Sequence, residues 1–267
     1  MNYRLIALDL DGTLYNDRKE ITPATLNALR AAQDSGVRLM ISSARPVPGL
    51  YRSRDALDMA PHDGILMAYN GGRILTARDN QTLFADEIPQ EMARDMLKKL
   101  EDLPVAPILD DGRIFYVTDP AAYKVEYECK NNDMICECVP NLAEFIHFAP
   151  AKILMSVQPE QIAEVQREIA RMLPAALIVV QTAAFYLEII PKTVGKGAAL
   201  LKVCEKLHID PAQTIAFGDS ENDISILRAA GQGVAMSNAA EDVRAAADFV
   251  TLSNNEDGIA AALERLL

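Results

Sequence analysis

Two clusters of acidic residues stand where this sequence could carry out chemistry. Asp9 and Asp11 end an unbroken apolar run in "LIALDLDGTL", and Asp219, Glu221 and Asp223 follow another in "TIAFGDSEND". A buried carboxylate is costly unless it is paired, hydrogen-bonded or bound to a metal. Acids that converge without histidine describe a hard cation held by oxygen, of which Mg²⁺ is the usual case. Mg²⁺ keeps several waters, takes one or two carboxylates, and is completed by a phosphate of the substrate. The metal and a lysine then supply positive charge that the whole-chain count hides. The lysine is Lys196 in "GKG", at the start of a predicted helix whose free N–H groups also favour phosphate. Gly195-Lys196 is no Walker A loop, because the upstream glycine is missing and Gly197 stands where Ser or Thr belongs.

The elements that must position these residues alternate between strand and helix. After the first strand, Thr22-Pro23 opens a helix to about Asp34. "VRLMISS" is a second strand, a helix runs to about Asp58, and "ILMAY" is a third strand ending at Asn70-Gly71-Gly72. "GRILT" and "TLFADEI" form a hairpin. From about Gly195 the rhythm returns with a helix to Leu207, the strand "TIAFGD", the helix "ENDISILRAA", the strand "GVAM" and a last strand "FVT" between further helices. Repeated βα units of this kind imply a doubly wound, Rossmann-like parallel sheet. Over 88–190 the pattern changes to an α+β insertion: an amphipathic helix, two strands about an Asp-Asp-Gly turn, "KILMSV", a second helix, then "LIVVQT" and "FYLEII". This predicts a core of residues 1–87 and 191–267, interrupted by an antiparallel sheet with helices on one face. Asp110, Arg113 and Lys124 of the insertion are expected to face solvent, and Glu188 either touches substrate or pairs with a basic neighbour.

In open α/β sheets ligands bind beyond the carboxyl ends of the strands. The loops there carry Asp9, Asp11, Gly12 and Thr13; Ser42, Ser43 and Arg45; Asn70 and Gly71; and Gly218 to Asp223. Turn formers alone do not account for polar residues at four strand ends with acids gathered in two.

The formal charge of −12 and pI near 4.8 oppose a nucleic-acid or anionic-membrane surface, which needs a basic footprint. The 267 residues contain no apolar run near the ~18 residues of a membrane span. The chain opens on its first strand with no signal pattern. Cys129, Cys136, Cys138 and Cys204 form no CxxC pair and His62, His147 and His208 are scattered, so reduced thiols in a cytoplasmic protein are expected rather than a zinc site.

"DLDGT", the Ser-Ala-Arg after the second strand, "GKG" and "GDSEND" match, in order, the four motifs of the haloacid dehalogenase-like phosphatases, which the whole chain resembles. The insertion, "YNGG", "FYLEI" and "GVAMSNA" resemble the Cof-type branch, with its large inserted cap, and its bacterial sugar phosphatases. The resemblance implies a Mg²⁺-dependent phosphatase acting on small phosphorylated metabolites, most naturally sugar phosphates. Asp9 is then the nucleophile that forms an aspartyl-phosphate, and Asp11 the acid and base. Asp9 and Asp219 ligate the metal with the backbone carbonyl of Asp11, and Asp223 holds metal waters or the lysine. Thr13, Ser43, Lys196 and Asn222 bind phosphate. The family usually has Thr-Gly-Arg where Ser43-Ala44-Arg45 stands; serine keeps the hydroxyl, and either Ser42 or Ser43 faces the phosphate, Ser43 by preference. Arg45 is expected to play a structural part and Asn70 to shape its turn. A sugar phosphomutase on the same intermediate and a non-catalytic phosphate- or metal-responsive sensor are the alternatives; the intact Asp11 opposes the sensor. A small substrate and a monomer or weak homodimer complete the expectation.

Overall fold

The opening apolar run is strand β1 (Leu5–Leu8), buried along its whole length; the computed structural model describes residues 3–267. Helix α1 (Pro23–Asp34) begins where the Thr22 side chain accepts from the Thr25 N–H, and Pro23 lies in its first turn, where a missing N–H costs nothing. Strand β2 (Arg38–Ser42), helix α2 (Tyr51–Ala56), β3 (Ile65–Ala68), β4 (Arg73–Thr76) and β5 (Thr82–Ala85) follow. The helix expected to reach Asp58 is only these 6 residues, entered through a 3₁₀ turn over Val47–Leu50. Pro46, Pro48 and Gly49 deny it the earlier turns.

The insertion contains α3 (Gln90–Leu100), β6 (Ala106–Asp110), β7 (Phe115–Val117), α4 (Val125–Asn131), β8 (Cys136–Cys138), α5 (Leu142–Phe145), β9 (Ile153–Ser156), α6 (Ile162–Met172), β10 (Leu177–Ala183) and β11 (Tyr186–Pro191). The chain then returns through α7 (Lys196–Leu207), β12 (Thr214–Gly218), α8 (Ile224–Ala229), β13 (Gln232–Ala235), α9 (Glu241–Ala246), β14 (Phe249–Val250) and α10 (Gly258–Leu266). Among the described residues no helix is long and apolar enough to cross a membrane.

The described chain forms two compact units: residues up to Ala44 with Leu50–Phe84 and Gly195–Leu267, and Arg45–Gly49 with Ala85–Val194. In the first, an 8-stranded sheet runs β14-β13-β12-β1-β2-β3-β4-β5. Its first six strands are parallel and β4 turns back antiparallel on β3. Leu5 and Ala7 of β1 pack with Met40, Met67 and the inward faces of α7, α8 and α9, while Ile6 and Leu8 are buried on the opposite face. Burial on both faces explains why these strands read as continuous apolar runs rather than alternating ones.

In the second unit the sheet order is β10-β11-β9-β6-β7-β8. Alternation is clear along β9: Ile153 and Met155 pack with α3, α5 and α6, while Leu154 meets Ile108, Tyr186 and Val125 of α4. Helix α4 therefore lies on the face expected to be bare, and β8 runs parallel to β7 in a sheet expected to be antiparallel. The segment "KVEYECKNNDMICEC" mixes charges and apolar residues with no clean period, so neither element was visible in it. Residues Arg45–Gly49, which follow β2 after Ser43 and Ala44, group with this unit: Arg45 donates to the Asn131 carbonyl at 2.5 Å and to Asn131 Oδ1 at 3.1 Å.

Candidate active site

Register brings the two acidic loops side by side. Strand β1 pairs in parallel with β12, Leu8 opposite Phe217, so Asp9 and Asp219 leave adjacent strand ends. On the other flank Leu8 lies opposite Ile41 of β2, which places Ser42 and Ser43 next to the same loop. The β1 loop turns at once: the Leu14 N–H donates to the Asp9 carbonyl and the Tyr15 N–H to the Leu10 carbonyl. Gly12 permits the turn, with φ +88°, and a Cβ there would lie 2.3 Å from Asp219 Oδ2. Only glycine lets the acid of the second loop come so close to the first.

Lys196, the first residue of α7, is fully buried and its Nζ donates to Asp9 Oδ1 and to Asp223 Oδ1, each at 2.6 Å. Helix α7 reaches this position because Gly197 packs on α8; a Cβ on it would lie 2.3 Å from the Ser225 carbonyl oxygen. Asp223 uses its second oxygen to accept from the Asp219 and Ser220 N–H groups, at 3.1 and 3.0 Å. Thr13 Oγ1 donates to Asp219 Oδ1 at 2.7 Å, and Ser220 Oγ donates to Asp219 Oδ2 at 3.3 Å. Asp9, Asp219 and Asp223 each offer a carboxylate oxygen within 4.8 Å of the others.

The electrostatics follow from burial and crowding. Burial, then the Asp223 charge, pushes the Asp9 carboxyl well above its ordinary value, against the pull of Lys196. Burial also raises Asp219, opposed by the Thr13 hydrogen bond and reinforced by Asp223. Burial alone would favour a neutral amine at Lys196, but Asp223 and Asp9 outweigh it and hold the ammonium. Three carboxylates thus share one ammonium, and the excess of negative charge is set entirely among oxygen ligands. That donor set could hold a hard divalent cation, with Asp9 and Asp219 the acids least committed to protein partners.

The remaining site candidates are placed as follows. Ser42 Oγ donates to Met67 Sδ at 3.1 Å, which turns it inward, whereas the Ser43 backbone bridges Met67 and Asn70. Asn222 Nδ2 donates to Asn70 Oδ1 at 3.0 Å, tying the loops after β12 and β3; Asn70 sits in the left-handed region at φ 55°. The Asp11 carboxylate stands apart from the three-acid group and pairs with Lys19 Nζ at 2.5 Å. Lys19 was not legible as a site residue, since "NDRKE" reads only as a polar turn.

In the second unit Glu188 has a basic neighbour. Lys152 Nζ donates to Glu188 Oε1 at 2.6 Å, both side chains being 4 % exposed, and Glu128 of α4 adds a further charge to the group. Asp110 is buried, against expectation, and its Oδ1 accepts from the Gly112 N–H to close the Asp-Asp-Gly turn. Lys124 is half-buried, its Nζ 4.6 Å from the ring centre of Phe185 and 5.0 Å from that of Tyr127. Arg113 alone of the three is exposed. Lys152→Met would leave Glu188 and Glu128 buried without their cation. Breaking a buried pair from one side costs about 3–5 kcal/mol, and urea unfolding should show a loss of that size.

Comparison with known proteins gives one consistent family. Residues 6–263 match the model of the haloacid dehalogenase-like hydrolases. A putative phosphatase of Bacillus subtilis, YxeH, is 31% identical over 275 residues, spanning 99% of this chain and 98% of its own. The crystal structure of a haloacid dehalogenase-like hydrolase from Bacteroides thetaiotaomicron is 31% identical with a TM-score of 0.94, covering 99% of this chain and 100% of that one. The structure of BT4131, described as a haloacid dehalogenase subclass IIB sugar phosphatase, is 25% identical with a TM-score of 0.78 over 98% of each chain.

Proposed function

We propose that this chain, which belongs to the haloacid dehalogenase-like hydrolases and is a phosphatase, hydrolyses small phosphorylated metabolites, sugar phosphates foremost, through an aspartyl-phosphate on Asp9. The observation that carries the reading is the seat of Asp9. It ends β1 with one oxygen held by the buried Lys196, beside Asp219, with Asp11 two residues on.

The Asp9 carboxylate attacks phosphorus and the bond to the leaving oxygen breaks, while Asp11 gives that oxygen its proton. Water then attacks the same phosphorus as Asp11 takes up its proton, and the bond to Asp9 breaks to release inorganic phosphate. Lys196 orients Asp9 and faces the phosphoryl charge, and Ser43 supplies a hydroxyl; Thr13 holds Asp219, and Asn222 braces its loop through Asn70. Mg²⁺ would be held by Asp9, Asp219 and the Asp11 carbonyl, with Asp223 fixing Lys196 and the loop. When bound it supplies positive charge to the phosphoryl oxygens. These groups serve needs common to every phosphate monoester, so the choice of leaving group is assigned to the inserted unit. The sugar-phosphate reading draws its support from the sugar phosphatase among the similar structures.

The test is phosphate release from a panel of phosphorylated sugars, nucleotides and cofactors, with and without Mg²⁺. Sugar phosphates should lead, chelator should stop release, and Ca²⁺ should restore it poorly because its looser coordination misplaces the reactants. Asp219→Ala should raise the Mg²⁺ requirement sharply. Full activity in excess chelator, with no metal on analysis, would refute the metal assignment. Isomerised hexose phosphate in place of free phosphate would make the protein a mutase.

A further inference from the structure

Lys124 carries a charge that the protein itself does not answer. Its Nζ stands 4.6 Å from the ring centre of Phe185, 5.0 Å from that of Tyr127 and 5.7 Å from that of Tyr123. Among the described residues no carboxylate pairs with this ammonium and no oxygen accepts from it. The acids of α4 are engaged elsewhere: Glu126 pairs with Lys130 at 2.5 Å, and Glu128 accepts from Asn132 Nδ2 at 2.9 Å. Ring faces attract a cation and hold it in place, yet they leave its N–H groups without an oxygen.

Two buried hydroxyls fix the backbone that presents this lysine. Tyr186 of β11 donates to the Lys124 carbonyl at 2.8 Å, and Ser156 of β9 donates to the Tyr123 carbonyl. Ser156 and Tyr186 are 2% and 6% exposed. Between these anchors Lys124 takes the left-handed conformation, φ 61°, at a cost that glycine would not incur. Folding alone gives no reason for a lysine, since a neutral side chain would cover the rings without an ammonium to desolvate.

Helix α4 carries Lys124 at its entry and Asn131 at its end, about 10 Å apart at 1.5 Å per residue. Asn131 accepts the Arg45 guanidinium on its carbonyl and on Oδ1, and Arg45 follows Ser43 by two residues. One short helix therefore holds the ammonium at one end and the chain just past Ser43 at the other.

We propose that Lys124 binds a second negative group, a carboxylate or a further phosphate, on the leaving side of the substrate. The inference rests on the phosphatase reading above and narrows its substrate class to sugar phosphates that carry another anion. The chain has a formal charge of −12, and at the catalytic site three carboxylates share one ammonium. Such a protein repels an additional negative charge unless a local cation answers it. Lys124 supplies that cation already ordered, so little side-chain freedom is lost on binding. The exposed parts of Tyr123 and Tyr127 give the sugar carbons an apolar surface beside it.

The test measures kcat/KM and KM on two pairs of esters that differ only at the far end. Phosphogluconate ends in a carboxylate where sorbitol phosphate ends in an alcohol, and fructose bisphosphate adds a phosphate to fructose phosphate. At least one anionic ester should lead its neutral twin by about tenfold, through KM, the low end of a charge-assisted hydrogen bond. The pair that shows the lead identifies the anion. Lys124→Gln should remove the lead while changing the neutral ester by no more than about threefold, and Lys124→Arg should keep it. Salt gives a second reading on the unaltered protein. Between about 0.1 and 1 M the screening length falls from about 10 to about 3 Å, and the lead should shrink, whereas repulsion alone would make it grow.

If sugar phosphates release no phosphate while nitrophenyl phosphate does, the substrate reading fails and this inference with it. If sugar phosphates are hydrolysed with no lead in either pair, or with a lead that Lys124→Gln retains or salt enlarges, only the role of Lys124 falls. Equal losses on neutral and anionic esters, with a lower melting temperature, would make Lys124 a structural residue.

Discussion

Asp9→Asn should abolish turnover and leave the fold intact. The amide has nearly the shape of the carboxylate, and Lys196 keeps Asp223 as a partner at 2.6 Å, so no buried ammonium is stranded. What disappears is the nucleophile proposed above. Covalent catalysis contributes many kcal/mol to the lowering of the barrier, and every 1.36 kcal/mol is a factor of ten. The loss should therefore exceed about 10⁴-fold, with an unchanged circular dichroism spectrum. A purified Asp9→Asn protein that kept a tenth of the parent's activity would sink the aspartyl-phosphate, wherever the metal binds.

Lys196→Met should damage stability and activity together. Lys196 is the cation shared by Asp9 and Asp223, with a side chain wholly removed from solvent. Methionine fills similar space but leaves two carboxylates facing each other and Asp219 close by. Removing one side of a buried ion pair costs about 3–5 kcal/mol, and urea unfolding should register it. Any protein that still folds should lose at least about 10²-fold in rate, the scale of removing one charge-stabilising donor. Added Mg²⁺ should recover part of the stability, because a divalent cation answers the same excess charge, but not the rate. Unchanged stability would mean that the acids have another counter-charge, and the charge balance drawn for the site would be wrong.

These two variants differ in kind because of how the site is built. Asp9 lies at the end of a strand buried on both faces, and the strand's packing holds whatever side chain follows it. Lys196 lies at the start of a helix and its charge is one of the things that lets three acids share a small volume. The insertion repeats this arrangement with different residues, Lys152 among Glu188 and Glu128.

Much of the architecture follows from the sequence read alone, for definite physical reasons. A strand covered on both faces must be apolar throughout, so β1, β2, β3 and β12 announce themselves as runs, and their alternation with helices forces a parallel, doubly wound sheet. The spacing of "DLDGT", "GKG" and "GDSEND" along the chain carried the family as well. What the tertiary structure alone decided is who meets whom. Asp9 and Lys196 are 187 positions apart and share a 2.6 Å contact only because β1 and β12 are in register and α7 packs close on α8. Side-chain direction at a strand end is set by the neighbour, so only the structure shows Ser42 turned to Met67 and Thr13 turned to Asp219. Helix α4 is not marked in the sequence because its burial comes from a sheet face built by β6, β7, β9 and β11 together, not from a period of its own. The pairing of Lys19 with Asp11 is unmarked for a related reason: it depends on a left-handed turn and a carboxylate eight residues back, and neither leaves a mark in composition.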